Sequence, residues 1–123
     1  MATSTERRIT FFYKIGLLVL IAKLTKSIDL LVYDFHRTTE QQAERYAKGR
    51  TKPGKVITNC DGHRKKSRHQ SWCAIDFVIV KDGKLVWKRT ADYEKVGEIW
   101  RSLGGKWGGD FKTKFDDPFH FQL

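Results

Sequence analysis

The alternation of apolar and polar positions divides the chain into a short series of elements. Thr3-x-x-Glu6 has the form of a helix capping box, and the apolar residues after it predict a largely buried helix over about 5–25. Leu30-Leu31-Val32-Tyr33 is a β-prone run and predicts a strand. Thr39-x-x-Gln42 is a second capping box, opening a polar helix that Gly49 ends. Residues 50–70 show little periodicity and predict a long loop, a length more often functional than decorative in a small domain. Ala74–Val80 and Leu85–Trp87 flank Asp82-Gly83 and predict a β-hairpin. Tyr93, Val96, Ile99, Trp100 and Leu103 share one face of a helix that Gly104-Gly105 stops. The tail carries Gly108-Gly109 and Pro118 as punctuation and ends on the strand-like Phe119-His120-Phe121. Helices and strands mix without a βαβ rhythm. The expected class is therefore α+β, a small antiparallel sheet packed with about three helices.

Composition sharpens this only in places. The 123 residues are 40% hydrophobic, enough for one modest core, and two prolines with ten glycines mark no linker, so residues 1–123 are expected to form a single domain. Cys60 and Cys73 form no CxxC pair, which argues against a disulfide framework but leaves a single bridge open. Ile15–Ala22, bracketed by Lys14 and Lys23, has some likeness to a signal-peptide core. It is far shorter than the ~20 residues that cross a bilayer, and no convincing cleavage site follows. We expect a helix of the fold here and no signal peptide. The formal charge of +10 allows a soluble basic surface or attraction to a polyanion. Basic residues run from Arg7 to Lys114 without gathering on one helix or interleaving with aromatics, so no nucleic-acid partner is expected.

Four histidines offer chemistry: His36, His63, His69 and His120. A lone histidine is usually a surface or hydrogen-bonded residue, so each needs its setting. His69 precedes the apolar run 74–80, and Asp76 lies inside that run. Asp76 either points to solvent, since strand residues alternate, or meets a cation that offsets its burial. His120 sits between Phe119 and Phe121. A His-Asp-His set gives zinc three protein ligands and leaves a fourth position open, the arrangement of hydrolytic rather than structural zinc. Such a site needs a carboxylate to move protons. Asp117 is the candidate, three residues before His120 with Pro118 turning the chain, while Asp116 reads as a solvated turn residue.

Ser67-x-His69-x6-Asp76 followed by Asp117-x-x-His120 resembles the SxHxxxxxxD…DxxH signature of the D-alanyl-D-alanine carboxypeptidase and L-alanyl-D-glutamate endopeptidase family. The blocks Phe35–Gln42, Tyr46–Thr51 and Leu103–Lys112 are similar to those of its short phage and prophage members, so the resemblance covers roughly residues 10–122. It implies a zinc peptidase cutting peptidoglycan stem peptides, with a single zinc site in a cleft. His69, Asp76 and His120 would bind the metal, and Asp117 would be general base and then acid. Arg37 would bind substrate and stabilise developing negative charge, unless it is a surface ion pair with Glu40 or Glu44. Ser67 would support the site and the substrate by hydrogen bonding.

The chain departs from the pattern where many members carry glycine then leucine: it has Trp72 and Cys73. Trp72 is expected to reshape the cleft wall. Cys73 is not expected to bind zinc, because strand alternation separates it from Asp76, and Cys60 with His63 reads as a decoy pair. The implied activity is an L-alanyl-D-glutamate endopeptidase of phage endolysin type, with D-alanyl-D-alanine carboxypeptidase as the rival. A non-enzymatic basic binding module with a structural zinc is the reading from a different class. The enzyme is expected to be a monomer, made in the host cytoplasm and acting on stem peptides of the anionic cell wall after release by another factor.

Overall fold

The structure is a computed structural model and describes residues 2–112 and 115–123. Helix α1 (Ser4–Lys26) starts at the expected capping box: Thr3 Oγ1 accepts from the Glu6 amide at 3.1 Å, and the Glu6 carboxylate accepts from the Thr3 amide at 2.7 Å. It ends at Ser27 in the left-handed region. Phe11, Ile15, Leu18 and Ala22 recur at helical spacing and are buried. The opposite face is equally apolar but stays exposed, so the largely buried helix expected from the sequence is buried on one side only.

Strand β1 (Asp29–Asp34) pairs antiparallel with β2 (Ala74–Lys81), and a register shift between Val32 and Asp34 turns the end of β1. Between them lies α2 (Thr39–Ala47). Its capping box is Thr38 with Gln41, one residue earlier than the sequence suggested. Gln42 is thereby freed from capping and is fully buried. The stretch from 50 to 70 is irregular, as expected, but well tied. Asp61 Oδ1 accepts from the amides of His63, Arg64 and Lys65 at 2.9, 2.9 and 3.0 Å, which hold its carboxyl below the usual range.

Strand β2 is the middle of the sheet, and Ala74–Ile79 are buried without a break. On its other side β3 (Lys84–Val86) pairs with its C-terminal end and β5 (His120–Gln122) with its N-terminal end. Asp82 and Gly83 both have positive φ, 53° and 75°, as a tight two-residue hairpin turn requires. Helix α3 (Ala91–Ser102) buries Tyr93, Val96, Gly97 and Trp100. A two-residue strand β4 (Lys106–Trp107), too short to leave a pattern in the sequence, closes the sheet against β5.

One sheet face carries Ile75, Phe77, Ile79 and Phe121 into a core shared with α1 and α3. The other carries Asp76, His120 and Gln122 toward an open cleft. The strand period of two thus separates core from chemistry. Trp100 anchors the core side, its indole N–H reaching the carbonyls of Lys106 and Gln122 at 3.1 and 3.0 Å.

Helix α3 comes close to β4 at Gly97, where an added Cβ would lie 2.3 Å from the Trp107 ring. Gly97→Ala gains about 1 kcal/mol of helix propensity. The clash is of the overpacking kind that costs about 1–3 kcal/mol. We therefore expect net destabilisation, read as a lower urea midpoint with unchanged slope.

Candidate metal centre

The site is built where β2 and β5 pair. Asp76 and His120 are direct cross-strand partners, so their side chains rise from the same sheet face side by side. His69 arrives from the loop before β2 and is held by the segment that follows β1. Phe35 O accepts from His69 Nδ1 at 2.6 Å, His36 Nδ1 donates to the His69 carbonyl at 3.2 Å, and the Arg37 amide donates to that same carbonyl at 3.2 Å. Ser67 Oγ accepts from the His69 amide at 3.2 Å.

The result is a small triangle. His69 Nε2 lies 3.3 Å from Asp76 Oδ1 and 3.2 Å from His120 Nδ1, and His120 Nδ1 lies 3.1 Å from Asp76 Oδ1. A tetrahedral metal with bonds of about 2.0–2.1 Å spaces its donors roughly 3.3 Å apart. The far side of each ring assigns its proton. His69 Nδ1 faces a carbonyl, and His120 Nε2 faces Gln122 Oε1 at 2.8 Å, so each carries hydrogen there. With both rings neutral, two nitrogen lone pairs and a carboxylate oxygen converge with no hydrogen between them, and a second proton on either ring would lie against Asp76. Only a cation satisfies all three. The donor set fits zinc, and among the described residues no other cluster of His, Cys, Asp or Glu has this geometry.

Electrostatics follow from the same contacts. Burial alone raises the Asp76 carboxyl, but the hydrogen bonds and charges of His120 and His69 overturn that and bring it to about 2. Burial works against a proton on His120, yet the hydrogen bond and charge of Asp76 outweigh it and raise the ring above its ordinary value. Asp117 is raised, first by burial and then by the negative charge of Asp76. Its Oδ1 accepts from the Phe119 amide at 2.9 Å, and its carbonyl accepts from the His120 amide at 3.2 Å, which fixes Asp117 beside the triangle. Gly108 makes room for this turn, since a Cβ there would lie 2.3 Å from the Asp117 carbonyl.

The cleft in front of these groups has a volume of about 520 Å³ and brings together all the candidate residues: Arg37, Ser67, His69, Asp76, Asp117 and His120. Arg37 is buried, and its partners are neither Glu40 nor Glu44. It donates to Asp34 Oδ2 at 2.6 Å and to Gln42 Oε1 at 2.7 Å. Gln42 in turn donates to the Cys60 carbonyl at 2.8 Å and so ties α2 to the loop. Asp34, Gln42 and Gln122 are site residues that sequence reasoning missed. Only Gln122 left a signal, two residues from His120 and so on the same strand face. Arg45, Lys65, Lys66 and Arg68 add cations to the wall, and Arg45 Nε is buried with no hydrogen-bond partner.

Trp72 departs from expectation. It lies outside the cleft, in a groove lined by α1 and Phe35. Its φ is 62°, the left-handed region that a glycine adopts freely, which explains why glycine suits this position. Its ring stacks on His36 at 3.8 Å, with the Arg8 guanidinium 4.9 Å from its centre. Cys73 joins the core, on the face away from Asp76. Cys60 lines the cleft with its carbonyl engaged, and His63 is exposed.

The sequence profile of a family described as D-alanyl-D-alanine carboxypeptidase matches residues 61–123, which contain the whole triangle and Asp117. The chain belongs to this family. It is 35% identical over 111 residues to the peptidoglycan L-alanyl-D-glutamate endopeptidase CwlK of Bacillus subtilis, covering 83% of this chain and 65% of that protein. The chain thus spans just under two thirds of that relative. The fold is shared with the L-Ala D-Glu endopeptidase ChiX of Serratia marcescens, with a TM-score of 0.64 at 23% identity over 99% of this chain and 86% of that one. It is shared too with the vancomycin-resistance D,D-pentapeptidase VanY, solved in complex with Zn(II), with a TM-score of 0.59 at 22% identity over 92% and 70% of the two chains. The α+β class expected from the sequence is the fold of these two structures.

The titrations of the metal-free protein have opposite signs. Asp76 is depressed when folded, so its contribution is present above the ordinary carboxylate value near 4 and lost as pH falls toward 2. His120 is raised, so its contribution is present below about 6.5 and lost as pH climbs through its folded value. Metal-free protein should show greatest denaturant resistance between these limits. Asp76→Asn should flatten both sides of a plot of urea midpoint against pH.

Proposed function

We propose that residues 1–123 act as one zinc peptidase unit that hydrolyses peptidoglycan stem peptides, and that the bond cut is L-alanyl-D-glutamate. The observation that carries the reading is the triangle of proton-free donors at the floor of an open cleft. Zinc bound by His69, Asp76 and His120 supplies Lewis acidity, making water acidic near neutral pH and polarising a carbonyl.

The rest belongs to this chain's own groups. Asp117, its carboxyl raised by burial and by Asp76, is suited to take a proton from the attacking water and give it to the leaving amine. Arg37 presents a guanidinium pinned by Asp34 and Gln42, placed to meet negative charge on substrate or transition state. Ser67 orients His69 through its amide. The cations of the wall suit a substrate rich in carboxylates, and D-glutamate keeps one carboxyl free of the main chain. CwlK supports the endopeptidase reading over terminal D-alanine removal, and VanY supports zinc as the metal. The +10 charge supports action on an anionic cell wall as a phage-type endolysin.

Digestion of purified sacculi followed by mass spectrometry tests the bond assignment. New L-alanine C-termini are expected, whereas loss of terminal D-alanine alone would identify a carboxypeptidase. Asp117→Asn should keep zinc and lower lysis by about 10²–10⁴-fold. A zinc-loaded Asp117→Asn protein with wild-type effect on sacculi would instead mark a non-enzymatic binding module.

A further inference from the structure

The side of α1 turned away from the core carries a second apolar stripe. Ile9, Tyr13, Leu17, Leu20 and Leu24 follow one another at spacings of four, four, three and four residues, with Phe12 beside them. All are exposed, Phe12, Tyr13 and Leu24 by 63%, 72% and 73%. Along the N-terminal half of α1 the stripe borders a groove that Ile9, Phe12 and Tyr13 form with Phe35 and Trp72. An exposed run of this kind on a helix already anchored by its other face has no structural use within the fold.

The borders of the stripe are cationic. On the helical wheel, Arg7 and Lys14 fall along one edge, and Arg8, Lys23 and Lys26 along the other. The helix has one acid, Glu6, which is engaged in the capping box, and Lys23 also pairs with Asp29 at 2.7 Å. Tyr13 and Trp72 are the residue types that settle at the headgroup level, with Arg8 lying against the Trp72 ring. A second copy docking on the stripe would bring like charges together along both edges. A polyanion such as nucleic acid would leave the apolar centre unused. No described helix is long and apolar enough to cross a membrane.

We propose that α1 is an interfacial helix whose outer face docks on an anionic lipid surface, with Ile9, Phe12, Tyr13, Leu17, Leu20 and Leu24 entering the acyl boundary and the flanking Arg and Lys residues meeting lipid phosphates. The catalytic cleft lies on the sheet face that carries Asp76 and His120, opposite the face that packs against α1. Docking through α1 therefore holds the enzyme at a membrane without covering the site.

Co-sedimentation with phosphatidylglycerol–phosphatidylcholine vesicles, against pure phosphatidylcholine vesicles, tests this on the intact chain. Wild-type protein is expected to pellet with the anionic vesicles, more weakly as salt rises, each bordering cation contributing about fivefold to affinity. Leu17→Glu/Leu20→Glu should weaken binding by about a hundredfold or more while circular dichroism and thermal midpoint stay as in wild type. Leu24→Glu alone, at the most exposed position, should weaken it by about tenfold. Wild-type protein left in the supernatant, or leucine variants that bind like wild type, would overturn the proposal. So would a concentration-dependent dimer that the leucine variants abolish without any vesicle uptake.

Discussion

Three proton acceptors held within 3.3 Å of one another in a mostly buried place form the constraint on which the rest of the structure turns. Such a grouping is repulsive unless a cation occupies it, and in metal-free protein a proton shared between a ring and Asp76 meets that demand, which explains why Asp76 is driven down and His120 up. Everything around the triangle works against its spreading. The β2–β5 register fixes Asp76 beside His120. Three hydrogen bonds from the segment at 35–37 fix His69, and Gln122 fixes the His120 ring.

That local demand accounts for the shape of the sheet. The centre strand must bury its core face completely if its other face is to hold an acid rigidly, and Ile75, Phe77 and Ile79 do so against α1 and α3. Trp100 and Trp107 secure the short last strands, which carry too few backbone bonds to be stable alone, by hydrogen bonds to Lys106, Gln122 and Pro118 carbonyls. Gly97 and Gly108 let the helix and the turn at Asp117 come close enough for this.

How much of this the sequence carried differs by residue, for physical reasons. Long periodic elements were readable, because burial of one face imposes its own spacing: α1, β2 and α3 fall within a residue or two of expectation. The convergence of His69, Asp76, His120 and Asp117 was suggested by motif spacing, and the structure does bring them together. The partners of Arg37 were not readable. Asp34 and Gln42 come from different elements, and Gln42 had an alternative role as a helix cap that Gln41 in fact fills. The outer stripe of α1 was misread, since an apolar run says that a helix has apolar faces but not how many of them the fold covers. Trp72 was placed on the wrong side of its loop because its positive φ, which turns it toward α1, leaves no trace in residue type.

The fold, the cleft and the electrostatics all lead back to the triangle of His69, Asp76 and His120 and to the metal we propose that it holds. Elemental analysis of purified protein, wild type beside His69→Ala, tests that link most directly. The account predicts about one zinc per wild-type chain and its loss in a His69→Ala protein that remains folded. Wild-type protein without stoichiometric metal after zinc exposure, or a His69→Ala protein that keeps its zinc, would contradict it.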